Sequence, residues 1–297
     1  MSSLEGVKCM NRVYDFLNKK LELIIWRLTY IRSFLRGYRN SKFSPQKDQS
    51  FLILGNGPST ASTDLLYYKQ QGYKLMCVNF FAVKDERFWI CQPDYYCIVD
   101  SGCLDKSINA CYSSEIKKLF DAIEQVTWDM VLLCRADSAV AISNPHVKVI
   151  RLSRDIIDWP KVGDERIFQM YNKNKATCGY QNVISAALFY CIGVEAKEVL
   201  LTGVETDFHK ELIVDEHNIV YRECKHFYGV EKLNLIEKGE IKKGELYKYF
   251  FFYYNTLRQY YTLSEYAKYN NVSIFNLCKA SFIDVFEKRQ AHLLEDK

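Results

Sequence analysis

From Phe51 onward, short apolar runs alternate with stretches whose apolar residues recur every three or four positions, so the pattern predicts strands and helices in turn. Phe51–Leu54, Lys74–Asn79, Tyr95–Asp100, Met130–Cys134, Val147–Leu152, Glu198–Thr202 and Val272–Leu277 read as strands. Thr63–Gln71, Thr177–Ile192 and Leu246–Asn270 read as helices, the last crowded with Tyr and Phe. This alternation predicts an α/β core on a mostly parallel sheet. Between Gly203 and Gly229 it breaks into a polar segment bearing His and Tyr.

The stretch Val13–Arg39 differs from the rest. Val13, Phe16, Leu17, Leu21, Ile24, Leu28, Ile31 and Leu35 keep helical spacing, and Arg12, Lys19, Lys20, Arg27, Arg32, Arg36 and Arg39 give a cationic excess. The longest wholly apolar run, Leu23–Trp26, is too short to span a bilayer. Two readings fit residues 13–39: a helix lying on an anionic membrane surface, or one packed on the domain or in a homo-oligomer interface. The polar stretch Ser41–Ser50, with Pro45, reads as a linker. The chain then divides into residues 1–49 (basic helix and linker), 50–203 (sheet core), 204–245 (a lid or acceptor segment) and 246–297 (closing helix and strand).

Composition narrows the classes. A 297-residue chain with 48% hydrophobic residues fills a sizeable core, which excludes disorder as the main state. With 40 Lys+Arg against 36 Asp+Glu the net charge is +4, too small a field to argue for nucleic acid. The 11 Cys are scattered and odd in number, and no secretory apolar region precedes them, so a reducing compartment and core-packed thiols are expected. Cys91 and Cys97 lack a second pair and a His cluster at zinc-site spacing, so no metal is expected.

Three local features could carry chemistry. Gly55-Asn56-Gly57-Pro58-Ser59 follows a strand, where glycines let backbone N–H groups face a phosphate or nucleotide; a tight structural turn explains it nearly as well. It is neither a Walker loop nor a full dinucleotide fingerprint. Lys175-Ala176-Thr177-Cys178-Gly179 opens the predicted helix Thr177–Ile192 and offers a hydroxyl, amides and a charge, or an ordinary cap. Lys225-His226-Phe227-Tyr228-Gly229 places a His in the irregular segment, where it could act as general base; His209 and His217 compete for that role.

In this order the features resemble the bacterial lipooligosaccharide sialyltransferases. The glycine loop resembles that family's nucleotide loop, and Cys77-Val78-Asn79-Phe80 its next strand. Ala176-Thr177-Cys178-Gly179 resembles its Thr-Ser-Gly turn, Val199–Glu205 the strand that follows, His226-Phe227-Tyr228-Gly229 the segment with its catalytic His, and Ile274–Ser281 its closing strand and Ser turn. The likeness spans roughly residues 51–287. It implies a modified Rossmann-like sheet of the GT-A-variant sialyltransferase type with a small lid, and a metal-free, cofactor-free inverting transferase. That enzyme moves a nonulosonic acid, sialic acid or an analogue such as Kdo, from CMP to a cell-surface glycan such as lipooligosaccharide, capsule or O-antigen precursor. It would work in the cytoplasm at the inner face of the bacterial membrane.

Carried over, His226 is the base. Gly55, Asn56, Gly57, Ser59, Asn79 and Ser281 hold nucleotide or donor, with Glu205 beside them. Thr177, Cys178 and Gly179 take the sugar carboxylate region, and Lys175 stands where the family carries an Arg. The chain departs from the pattern in a shorter lid segment and at three residue positions. No Tyr follows Gly203 at the first expected position, which leaves Tyr221 or Tyr228 to meet the leaving phosphate. Asp100 replaces an Asn, and Cys178 a Ser. A pterin pyrophosphokinase-like or flagellar-modification protein, and a non-catalytic nucleotide-binding scaffold, are the alternatives.

Overall fold

The structure is a computed structural model that describes residues 2–100, 113–226 and 229–294. Its strands are β1 (Ser50–Leu54), β2 (Lys74–Val78), β3 (Tyr95–Ile98), β4 (Met130–Arg135), β5 (Val147–Leu152), β6 (Glu198–Thr202), β7 (Leu212–Val214), β8 (Val220–His226), β9 (Gly229–Asn234), β10 (Ser273–Asn276) and β11 (Glu287–Lys288). Its helices are α1 (Ser2–Leu35), α2 (Leu65–Gln70), α3 (Phe81–Lys84), α4 (Arg87–Cys91), α5 (Ser113–Glu124), α6 (Trp159–Val162), α7 (Arg166–Asn172), α8 (Val183–Gly193) and α9 (Leu246–Tyr269).

Eight strands form one sheet in the order β11-β10-β6-β1-β2-β3-β4-β5, and every pairing in it is parallel. Side chains alternate across it. Phe51 and Ile53 face one apolar layer while Leu52 and Leu54 face the other, so β1 is buried on both sides and reads as an unbroken apolar run. The first layer is covered by α6–α9. Helix α8 has every residue buried, which explains why its sequence is apolar all round. The second layer is covered by α2–α5. From β1 the order runs to β2–β5 on one side and to β6, β10 and β11 on the other, so the direction of winding reverses between β1 and β6.

Two predicted elements end differently. Strand β2 stops at Val78 because Asn79 takes a left-handed backbone, φ 49°. The helix expected from Thr177 begins only at Val183: Asn182 caps it, accepting from the Ser185 amide at 2.9 Å while the Ser185 hydroxyl lies 3.4 Å from the Asn182 amide. Residues 177–182 are irregular, with Gly179 at φ 93°.

The polar segment after Gly203 contains a small antiparallel sheet, β7-β8-β9, over its own apolar cluster of Val220, Leu235, Ile241 and Tyr249.

At the other end, the stretch read as a linker is a strap against the core. Phe43 meets Tyr190 edge-on at 5.4 Å, and a β-carbon at Gly193 would come within 2.6 Å of the Phe43 ring. The Gln46 amide donates to Val194 O at 2.6 Å. Helix α1 is docked along one side: buried Ser33 donates to Asp155 at 2.7 Å, and Lys19 pairs with Asp164 at 3.3 Å. The seven cysteines whose side chains are described, Cys77, Cys91, Cys97, Cys134, Cys178, Cys191 and Cys278, are free, and all but Cys178 are buried.

Candidate active site

A cleft of about 600 Å³ opens at the carboxyl ends of β1, β2, β3, β4 and β6, at the reversal point of the sheet. The loop after β1 supplies Gly55, Asn56 and Gly57. Asn79 and Asp100 follow β2 and β3, Arg135 closes β4, and Gly203–Phe208 follow β6. The far wall is made by residues 180–184 at the start of α8, by Tyr249, Phe252 and Tyr260 of α9, and by Glu211 and Arg222 beside the small sheet.

Of the two readings of the glycine loop, the contacts favour the tight structural turn over the phosphate cradle. The Gly55 amide donates to Thr202 O at 2.8 Å, and the Gly57 amide to Gly203 O at 2.9 Å. The Ser59 amide donates to Glu205 Oε1 at 2.8 Å, and the Ser59 hydroxyl accepts from the Gly203 amide. These three amides are therefore engaged with the β6 loop and do not cradle phosphate. What requires glycine is contact. A β-carbon on Gly55 would run into the Gly203 backbone, one on Gly57 into the Glu205 carboxylate, and Gly203, at φ 65°, faces Thr60 just as closely. The two loops are thereby welded together at the floor of the cleft.

Four polar side-chain atoms on the cleft wall are buried without a hydrogen-bond partner: Asn56 Oδ1, Asn79 Oδ1, Tyr180 OH and Glu205 Oε2. Buried polar groups are nearly always paired, because an unpaired one costs about 1–3 kcal/mol, so four on residues that line one cavity mark a place shaped for a polar ligand. Burial holds the Tyr180 hydroxyl well above its ordinary pKa, so it stays a neutral donor; Tyr260 is pushed up to about 12 by the same cause. The Tyr260 hydroxyl accepts from Asn182 Nδ2 at 3.0 Å, fixing the cap of α8.

The first amides of α8, at Val183 and Ile184, lack intrahelical acceptors by geometry, and both residues line the cleft. Arg135 stands opposite, its guanidinium held by Asp137 at 2.9 and 2.6 Å. Arg222 lies 3.7 Å from Glu211. The cavity thus joins a positive helix end and two guanidinium groups to carboxylates and amides that suit hydroxyls.

Of the residues singled out from sequence, Gly55, Asn56, Gly57, Asn79, Asp100 and Glu205 line the cleft. Ser59 braces its floor from behind. The others lie elsewhere. Thr177 is fully buried with its hydroxyl accepting from the Gly179 amide, since the helix starts six residues later than expected. Cys178 directs its thiol to the Gly179 carbonyl, and burial raises its pKa to about 12. Lys175 is exposed beside α1, its carbonyl accepting from Trp26. Ser281 is buried, donating to Val204 O at 2.7 Å and accepting from Asn276, and so ties the closing turn to the β6 loop.

Tyr221 pairs across β8 with Ile213 and Asn234 and lies under the Lys232 ammonium, 4.6 Å from the ring centroid, away from the cleft. His226 ends β8 opposite Gly229, and its side chain lies outside the described residues, as does Tyr228 altogether.

Sequence reasoning missed Arg135, Tyr180, Asn182, Arg222, Tyr249 and Tyr260. Arg135 was findable as the charge that closes an apolar strand. Asn182 was findable as a cap with Ser three residues on. Arg222 carries no local signal.

No protein-family model and no curated protein matches this chain. Among solved structures the chain is similar to glycosyltransferases. One is the sialyltransferase CstII from Campylobacter jejuni in complex with CMP-3FNeuAc, 14% identical, with 84% of this chain and 88% of that one covered and a TM-score of 0.42. A complex of CST-II with trisaccharide acceptor and CMP is 17% identical, with 84% and 89% covered and a TM-score of 0.41. The MAf glycosyltransferase from Magnetospirillum magneticum AMB-1 is 13% identical at a TM-score of 0.48, and the match covers 90% of this chain but only 38% of that one.

Proposed function

We propose that the cleft binds a CMP-linked nonulosonic acid and transfers the sugar, with inversion, to a hydroxyl of a lipid-linked cell-surface glycan precursor at the inner face of the bacterial membrane. The observation that carries this reading is that four residues lining one cavity, beside a helix N-terminus, each bury a polar atom without a hydrogen-bond partner. The motif resemblance around Gly55–Ser59, Asn79 and His226 narrows the ligand to a cytidylate. Asn56, Asn79 and Glu205 are assigned to the hydroxyls and amides of the donor. The α8 amides, the Tyr180 hydroxyl and Arg135 meet the anionic groups.

In the reaction the anomeric carbon–oxygen bond to phosphate breaks and its electron pair leaves on CMP. The acceptor oxygen forms the new glycosidic bond from the opposite face, and His226 takes its proton. The carbon passes through a cationic state already beside its own carboxylate, so positioning and stabilisation of the leaving phosphate supply most of the rate. These groups do so without a metal or cofactor.

The test mixes purified protein with CMP-sialic acid or CMP-Kdo and a lactoside acceptor and measures CMP release. Release with one donor, unchanged by EDTA and lost in His226→Ala, is expected. No release with either donor, or full activity in His226→Ala, contradicts the reading. Binding of ATP or a pterin in place of CMP would assign the cleft to a kinase-like chemistry.

A further inference from the structure

Helix α1 has two opposite faces, and the structure accounts for only one of them. Lys19, Trp26 and Ser33 recur every seven residues on the docked side, held by Asp164, by Lys175 O and by Asp155. On the far side Leu17, Leu21, Ile24, Leu28, Ile31 and Leu35 step by four and three in strict alternation, and all six are exposed, Leu35 at 78%. So long an apolar seam facing solvent marks a contact surface.

Charge selects the occupant. Lys20, Arg27 and Arg32 flank the seam, and none of them takes part in an ion pair among the described residues. Glu22 turns away to Lys161, 3.2 Å from its ammonium. A second copy would bring these cations against their own kind, where a paired coiled coil needs opposite charges, and the seam covers fewer than three heptads. An anionic bilayer complements both the seam and its rims. Among the described residues no helix is long and apolar enough to cross a membrane, so α1 would lie flat.

A separate exposed aromatic row lies on α9. Trp159 of α6, on which α1 packs, lies 6.4 Å from Tyr261 of α9, and α9 exposes Phe251, Tyr254 and Tyr261 along the row that holds Arg258. Other turns of α9 line the cleft.

We infer that α1 docks the protein on an anionic lipid surface through the Leu17–Leu35 seam and its flanking cations. This docking is independent of the chemistry inside the cleft. The test sediments full-length protein with vesicles of phosphatidylcholine alone or with about one-third phosphatidylglycerol. Binding to the anionic vesicles is expected, weakening with salt. Arg27→Gln and Arg32→Gln should each weaken it about fivefold, and Leu21→Gln with Leu28→Gln about tenfold or more. Melting temperatures should stay unchanged, because all four side chains point away from the domain. Equal binding to neutral vesicles, or no binding by well-folded protein, overturns the inference. So does a lipid-free dimer that the double leucine substitution dissolves, which would give the seam to a second copy.

Discussion

The carboxylate of Glu205 occupies the space that a side chain at residue 57 would need. A β-carbon on Gly57 would overlap Oε2 of Glu205, whose Oε1 accepts from the Ser59 amide at 2.8 Å and whose Oε2 has no partner of its own. The glycine loop and the β6 loop are thus one unit, and that unit presents Asn56 and Glu205 to the cleft. Gly57→Ala should displace the carboxylate and press on the Gly203 carbonyl, 2.7 Å from the added carbon, so it should raise the donor KM at least about tenfold at some cost in stability. Gly55→Ala strikes backbone and should instead lower stability by several kcal/mol. Urea unfolding set beside CMP-release kinetics separates the two.

Tyr180→Phe removes a buried hydroxyl that has no partner in the free protein. Stability should hold or rise by up to about 1 kcal/mol, because an unpaired polar atom is lost from the interior. Donor affinity should fall about tenfold if that hydroxyl meets an anionic group. A large loss of stability with unchanged KM would assign Tyr180 to packing.

Of the candidate bases His226 and His209, the structure describes the side chain of His209 and fixes its hydrogen bond. Tyr253 donates its only proton to Thr206 O at 2.8 Å, so the imidazole of His209, 3.1 Å away, must donate its Nδ1–H to Tyr253. That bond steadies the turn at Thr206, and His209 does not line the cavity. His226→Ala should lower kcat by about 10²–10⁴-fold. His209→Ala should cost stability and less than about tenfold in rate. The reverse order in a pH-rate series would move the base to His209.

Asp155 anchors α1 through Ser33. Burial pushes its pKa up from 3.8, with the Ser33 hydroxyl pulling the other way. The folded state therefore binds this proton more tightly than the unfolded chain. The group's contribution is fully present below pH 3.8 and is lost as pH rises through the raised value. Asp155→Asn keeps the acceptor for Ser33 and should remove that decline. Ser33→Ala should cost about 1.5–3 kcal/mol at neutral pH. Urea unfolding at several pH values checks both signs.

The core strands were legible because burial on both faces makes them unbroken apolar runs, and Val147–Leu152 and Glu198–Thr202 match residue for residue. The strands β7–β9 were not, since residues such as Tyr221, Arg222 and Glu223 are held by backbone pairing at a polar surface and show no apolar period. Likewise the Gly55–Ser59 loop was legible as a site, but its physical role was not. A sequence gives a glycine's freedom without saying whether phosphate or a neighbouring loop fills the space beside it. Thr177 and Ser281 have the chemistry of ligand contacts and spend it on Gly179 and Val204. The tyrosines that do reach the cleft come from α9 and the turn before α8, where an aromatic-rich helix reads simply as core.

The most direct measurement is calorimetric titration of CMP into the wild-type protein and Gly57→Ala, with UMP and AMP as controls. A single site that prefers CMP and is lost or sharply weakened in Gly57→Ala is expected. No heat with CMP, or an isotherm that Gly57→Ala leaves untouched, would contradict the placement of a cytidylate-linked substrate on the cleft floor that the joined β1 and β6 loops build.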